Sequence, residues 1–317
     1  MMVIDMTGGG SVMGEKKVSM RQIAKICGCS LATVSYALNH TGQGKISSAT
    51  RLRIIDTAKQ LNYPTTRTTR GKKNRAAILV TRLHGESVGR RLHLTDLAMQ
   101  LEAQLLELGI PSVILRLGDL VEDWRKILAV SPSVIFVLDG GCRAVAHVNP
   151  PCVTPMIFVD CDNDDPLYYK ILPDYPSLMG EAKTRLGRED LFLVAEPVRS
   201  GQLMTLLSQG FAPQDVFFHD GTQSLSAFLE AHQGRKGVVV GDLLGVEVCG
   251  QFPPEDLAVI CSLDDPGLFP PQITLLPAPN ADKAKAAAAV ASDLLTLDYD
   301  PTQGNRILVK GNFPTNG

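Results

Sequence analysis

The stretch Val18 to Asn39, VSMRQIAKICGCSLATVSYALN, constrains the N-terminal part of this 317-residue chain more than any other feature. Ile23, Ala24, Cys27, Val34 and Leu38 recur at helical spacing on either side of Gly28, so they can meet as one small core between two short helices. Gly28 supplies the turn, because a residue without Cβ takes positive φ cheaply. Ser30 is placed to cap the second helix, its hydroxyl accepting from an otherwise unpaired N–H of the first turn. Leu31, Ala32, Thr33, Ser35, Tyr36 and Asn39 are left on that helix's outer face and N-terminal end. This is how a helix-turn-helix offers its second helix to a DNA major groove. A third helix is expected from about Ser47, where SSATRLRIIDTAKQLNY carries Ile54, Ile55, Ala58 and Leu61 at the same period.

An ordinary pair of packed helices would show a similar pattern, so the surroundings decide. Thr33, Ser35 and Asn39 are short hydrogen-bonding residues suited to phosphate oxygens, and helix N-termini also attract phosphate. Charge is the stronger argument. The whole chain carries a formal −2, which suggests no nucleic-acid partner. Residues 1–75, however, hold thirteen Lys or Arg against three Asp or Glu, a net of +10, and the remainder carries −12. A basic head on an acidic body confines adhesion to the head and points to double-stranded DNA as its partner.

Residues 64–75 follow as a basic, Thr-rich hinge or linker containing TTRTTRGKKNR, a weak helix on its own. It can order on DNA with Arg67, Arg70, Lys72 and Lys73 near phosphates. Residues 1–17 read as a disordered extension without a signal-peptide apolar core, and Met13 is a second possible start. No apolar run reaches the ~20 residues a membrane helix needs. Seven scattered cysteines, with Cys27 and Cys29 forming only a C-x-C, indicate reduced thiols in a cytoplasmic, nucleoid-associated protein rather than a zinc site.

From residue 76 to 317 short apolar strands alternate with amphipathic helices, which argues for parallel sheets covered by helices. Strands are expected at 76–81, 112–117, 133–138 and 155–160. A second set is expected at 190–195, 215–220, 236–241 and 257–262, and two αβ halves divided near residue 160 fit this better than one sheet. ITLLP (273–277) and RILVK (306–310) look like crossing or edge strands, and the Ala-rich 281–297 is a strong helix. No G-x-S-x-G, H-E-x-x-H or P-loop occurs, so the expectation is a non-enzyme without cofactor or metal. Asp160, Asp162, Asp164 and Asp165 match a calcium loop only loosely and read as a solvated turn ahead of Pro166. The single Trp124 reads as core packing.

The order of these parts resembles the LacI/GalR family of bacterial transcription regulators. Residues 18–63 carry the closest match, through V-S-M-R-Q-I-A-K-I-C-G-C-S-L-A-T-V-S-Y-A-L-N, I-S-S-A-T-R-L-R-I and A-K-Q-L-N-Y-P. A second match is P-E-D-L-A-V-I-C-S-L-D-D at 254–265, followed by Ile273-Thr274 and the Ala-rich helix. The resemblance implies a helix-turn-helix head on a two-lobed, periplasmic-binding-protein-like body. It implies a homodimer on a near-palindromic operator, with a sugar or sugar-phosphate effector between the lobes. By matching position, Leu31, Ala32, Tyr36 and Arg21 would read bases. Ser19, Ser30, Thr33, Ser35, Asn39, Ser47, Thr50 and Tyr63 would hold phosphates. Asp264, Asp242 and Arg199 would face the effector.

The sequence also departs from the family. Tyr36 stands where an Arg is usual, which removes a two-pronged guanine contact. The hinge lacks the apolar wedge that kinks an operator. Gly241 replaces the Asn that precedes the acidic residue Asp242. The resulting reading is a DNA-binding regulator, a repressor of carbohydrate-related genes controlled by a small ligand. The alternatives are a ligand-independent regulator with a degenerate effector domain and, further off, a solute-binding protein.

Overall fold

The computed structural model describes residues 18–39, 48–61, 63, 74–81, 87–118, 123–140, 154–162, 168–263, 265–296 and 304–311. The expected extension 1–17, Ser47, the segment 64–73 of the hinge, Asp164, Asp165 and Asp264 lie outside the described residues, as do the side chains of Tyr36, Asn39 and Trp124.

The head is three helices, α1 (Met20–Ile26), α2 (Leu31–Asn39) and α3 (Ser48–Gln60). Ile23, Cys27, Val34, Ala37, Leu38, Ile54 and Ala58 close into one buried cluster. Gly28 takes φ +57° between the first two helices, the left-handed conformation its sequence position requires. Cys27 is a core residue: its Sγ lies 3.2 Å from Thr57 Oγ1.

The body has two all-parallel sheets. In the first, β1 (Ala76–Thr81), β2 (Ser112–Leu117), β3 (Val134–Leu138), β4 (Met156–Val159), β5 (Tyr169–Pro173) and β11 (Arg306–Val309) run in the order β11-β5-β4-β3-β1-β2. Successive residues of β1 face opposite sides, so both faces need cover. Ala76 and Ile78 meet α4 (Val88–Glu107) and α10 (Asn280–Thr296), through Leu94, Leu97, Leu101 and Leu105 against Ala284, Ala287, Ala288 and Ala291. Ala77 and Leu79 meet Ile127, on α5 (Trp124–Val130), and Phe158 on the other side. The small alanines let α10 lie close on α4 and the sheet.

The second sheet has the order β10-β9-β8-β6-β7, from β6 (Phe192–Ala195), β7 (Val216–Phe218), β8 (Gly237–Val240), β9 (Leu257–Cys261) and β10 (Thr274–Pro277). One face is covered by α6 (Tyr175–Leu186) and α7 (Gly201–Ser208), the other by α8 (Leu225–Ala231) and α9 (Asp242–Cys249).

Two expectations are corrected. The first sheet does not stop near residue 160: YKILP forms β5, and the chain crosses to the second lobe after Pro173. Lys170 and the closing proline had disguised that strand. There α6 begins, capped by Asp174 and ended by Gly187 at φ +65°. Finally, Asp160 and Asp162 are buried rather than solvated. Both edge strands fall at sheet edges, β10 in the second lobe and β11 in the first.

Candidate DNA-binding head and interlobe cleft

In the head, the local sequence sets which face of α2 is exposed. Ser30 Oγ accepts from the Thr33 N–H at 3.0 Å and lies 2.8 Å from Thr33 Oγ1. This caps α2 as the sequence reading expected. Leu31, which is 43% exposed, and Ala32 stand open on the first turn, with Arg21 exposed on α1. Ser19 precedes α1, where its N–H donates to Gln22 Oε1 at 2.9 Å. Thr33, Ser35 and Thr50 are half-buried. Tyr63 packs under the head core, and its N–H donates to the Ala58 carbonyl at 2.8 Å. Sequence reasoning missed Arg53, whose guanidinium donates to the Cys27 carbonyl at 2.8 Å, where a cation suits the partial negative charge ending α1. It also missed Ile26, an apolar side chain left 61% exposed beside the turn.

The second site lies between the lobes, at the carboxyl ends of the strands, where open α/β sheets take ligands. Asp139 and Asp160 follow β3 and β4, adjacent strands, and both hold positive φ, 46° and 54°. Such strain in non-glycine residues collects at ligand clamps and switch regions. Arg90 on α4 reaches Asp139 at 3.0 Å, and Lys283 on α10 reaches Asp160 at 2.8 Å. Burial alone would raise Asp160, but the Lys283 ammonium, the His93 bond and Arg90 hold it well below the usual carboxylate range. Burial pulls Lys283 below its ordinary value against the attraction of Asp160. Arg90 also resists burial, and Asp139 holds it firmly charged.

Bonds between lobes complete the closure. His93 Nδ1 is 2.8 Å from Ser262 Oγ, while its Nε2 is 2.6 Å from Asp160. Arg199 donates its backbone N–H to Asp139 Oδ1 at 3.3 Å and a guanidinium N–H to the Asp139 carbonyl at 3.2 Å. Ser200 Oγ donates to the Asp162 carbonyl at 2.8 Å. Gly89 brings α4 so near the second lobe that an added Cβ would stand 3.3 Å from Leu243 Cβ and 2.5 Å from Glu196 Oε1. The space left inside is about 50 Å³, lined by Arg90, His93, Tyr175, Glu196, Asp242 and Lys283 among others.

Of the three effector residues named from sequence, two fall here. Asp242 lines the cleft, but its carboxylate is spent on the Ser262 and Leu263 N–H groups at 3.0–3.1 Å and on the Ser262 hydroxyl at 2.6 Å. Arg199 binds Asp139. Gly241 has φ 120° and ψ 140°, a region essentially restricted to glycine, so an Asn could not sit on this backbone. Arg90, His93, Asp139, Asp160 and Lys283 were not recognised in sequence as one cluster. Among the described residues, no group of three or more His, Cys, Asp or Glu could hold a metal ion, and no helix is long and apolar enough to cross a membrane.

A three-helix head with an exposed capped helix, joined to two parallel α/β lobes closing on a polar cleft, has the build of a DNA-binding transcription regulator. Residues 19–65 match the family described as bacterial regulatory proteins, lacI family. In three dimensions the chain is similar to the lac repressor dimer bound to operator and the anti-inducer ONPF. That similarity has 17% identity and a TM-score of 0.59, over 94% of this chain and 97% of that one. It is also similar to the transcriptional regulator CelR in complex with cellobiose, at 17% identity and TM-score 0.57, over 93% and 98%. The transcription regulator CcpA of Lactococcus lactis aligns at 15% identity and TM-score 0.56, over 76% and 97%. No curated protein matches in sequence. The head therefore matches the lacI family of bacterial regulatory proteins, and the body shares the two-lobed fold of the lac repressor.

Proposed function

We propose that the protein is a cytoplasmic repressor that binds a near-palindromic operator as a homodimer, with residues 18–63 as head, 64–75 as hinge and 76–317 as effector and dimerisation body. The observation that carries this reading is the exposed first turn of α2, where Leu31 and Ala32 project beyond a capped helix N-terminus. Leu31 and Ala32 would meet thymine methyl groups, with Arg21 and Tyr36 beside them. The hydroxyls of Ser19, Ser30, Thr33 and Ser35, with Asn39, Ser47, Thr50 and Tyr63, would hold the backbone, and Arg67, Arg70, Lys72 and Lys73 would reach hinge phosphates. A two-fold protein then faces two related half-sites. Selection of bound fragments from genomic DNA with the full chain tests the reading. A recurring inverted repeat supports it, and retention of no fragment at low salt would overturn it.

For control, the proposed effector is a small polar molecule of the sugar or sugar-phosphate class, taken between the lobes. The similar CelR structure holds cellobiose, and the similar lac repressor structure holds the anti-inducer ONPF. The effector acts only if it prefers one arrangement of the lobes over another. A second reading, a ligand-independent regulator, is favoured by one observation. The cleft holds about 50 Å³ of free space, against about 300–1,000 Å³ in ordinary ligand pockets. Calorimetry against sugars and phosphosugars separates the two: saturable heat selects the first, silence throughout the second.

A further inference from the structure

The short segment from Cys27 to Ser30 carries the chain from α1 to α2, so its conformation sets the angle at which α2 leaves the head. Two backbone bonds hold this turn to α1. Gly28 N–H donates to the Lys25 carbonyl at 3.4 Å, and Cys29 N–H donates to the Ala24 carbonyl at 3.0 Å. At the other border Ser30 caps α2. None of these bonds refers the turn to α3.

That tie is made at Cys27, from two sides. The Arg53 guanidinium donates from Nη2 to the Cys27 carbonyl at 2.8 Å. The Cys27 thiol donates to Thr57 Oγ1 at 3.2 Å, and the Thr57 hydroxyl donates to the Arg53 carbonyl at 2.8 Å. The circuit of bonds thus begins and ends on Arg53. The same guanidinium also acts on Cys29, beyond Gly28: burial and Cys27 push that thiol up, and Arg53 draws it down.

An exposed arginine on a basic module is ordinarily read as a phosphate contact. Arg53 already has a donor committed, to a carbonyl at the negative end of α1. The apolar core around Ile23, Val34 and Ile54 cannot do this job by itself, because hydrophobic attraction has no direction. A hydrogen bond to a carbonyl does. We infer that Arg53 is a positioning residue for α2: by holding the Cys27 carbonyl it fixes the tilt of that helix, and so the place of Leu31 and Ala32. The role rests on the reading of residues 18–63 as a DNA-binding head. Without the bond α2 samples several tilts, and apparent affinity falls with the fraction of molecules in the binding one.

The test compares the full-length wild type with Arg53→Met, which keeps the apolar stem and removes the donors, and Arg53→Lys, which keeps an ammonium donor. Amide TROSY spectra without DNA report the turn. Affinity is then measured on the fragment that the wild type selects, from about 50 to 200 mM salt. In Arg53→Met the amide shifts of Gly28 to Thr33 should move while those of the body stay. Affinity should fall about tenfold, with the slope of log affinity against log salt unchanged. Arg53→Lys should recover most of both losses. A slope shallower by about one unit would make Arg53 a phosphate contact and overturn the inference. So would unmoved turn amides, undiminished affinity, or a loss that merely follows melting of the head at the assay temperature. A wild type that retains no fragment overturns the head reading and this role together, whereas a wild type that binds no better than Arg53→Met overturns this role alone.

Discussion

The head and the interlobe cleft solve opposite problems with opposite materials. The head is held by seven buried apolar side chains and buries few hydrogen-bonding groups, Thr57 among them. The cleft puts its charged groups inside, where Lys283 and Asp160 are each about 2–4% exposed, and it relies on pairing to make that tolerable. The head can lose a polar surface residue at little cost in stability and must not lose an apolar one. In the cleft the dependence is reversed.

The sharpest way to break this comparison is Lys283→Met. It leaves the Asp160 carboxylate buried without its cation, and removal of one partner from a buried pair costs about 3–5 kcal/mol. Urea denaturation of the body should register that loss while the head keeps its helices. The same pair sets an acid limit. Asp160 is held below the usual carboxylate value, so its contribution is present above pH 3.8 and is lost as pH falls through its folded value. An Asp160→Asn variant should flatten that part of the stability–pH curve. Next in size is Ile54→Ala, which cuts the fully buried centre of the head and should cost about 2–5 kcal/mol. Calorimetry should then show the head melting early with the body transition unmoved. Ser30→Ala removes the α2 cap for about 1 kcal/mol. Leu31→Ala should change head stability by less than about 0.5 kcal/mol, yet alter which fragments are selected. A change in stability without a change in selected sites would invert the assignment.

The same contrast explains what could be read from sequence. The head was legible because its signals are local: Gly28, Ser30 and the spacing of Ile23, Cys27, Val34 and Leu38 lie within sixteen residues. Both lobes were legible as alternating strands and helices for the same reason. The cleft was not, since Arg90, Asp139, Asp160, Ser262 and Lys283 come from five separated segments and meet only through sheet topology. Lys283, in an alanine-rich helix, reads as a solvated lysine. Asp160, beside other aspartates, reads as part of a polar turn. Neither spacing nor composition carries the information that α10 crosses back to cover β4. YKILP was missed on other grounds: a buried Lys170 and a terminal proline interrupt the apolar run that marked the remaining strands.

The return of the chain to the first sheet also sets an order of assembly. The second lobe is contiguous between residues 174 and 277, whereas the first waits for α10 and for β11 beside β5. As the polypeptide leaves the ribosome, the later-encoded lobe can therefore be finished while its predecessor still lacks a helix and a border strand. During synthesis, the half that neighbours the DNA-binding end is the one most exposed to chaperones and proteases.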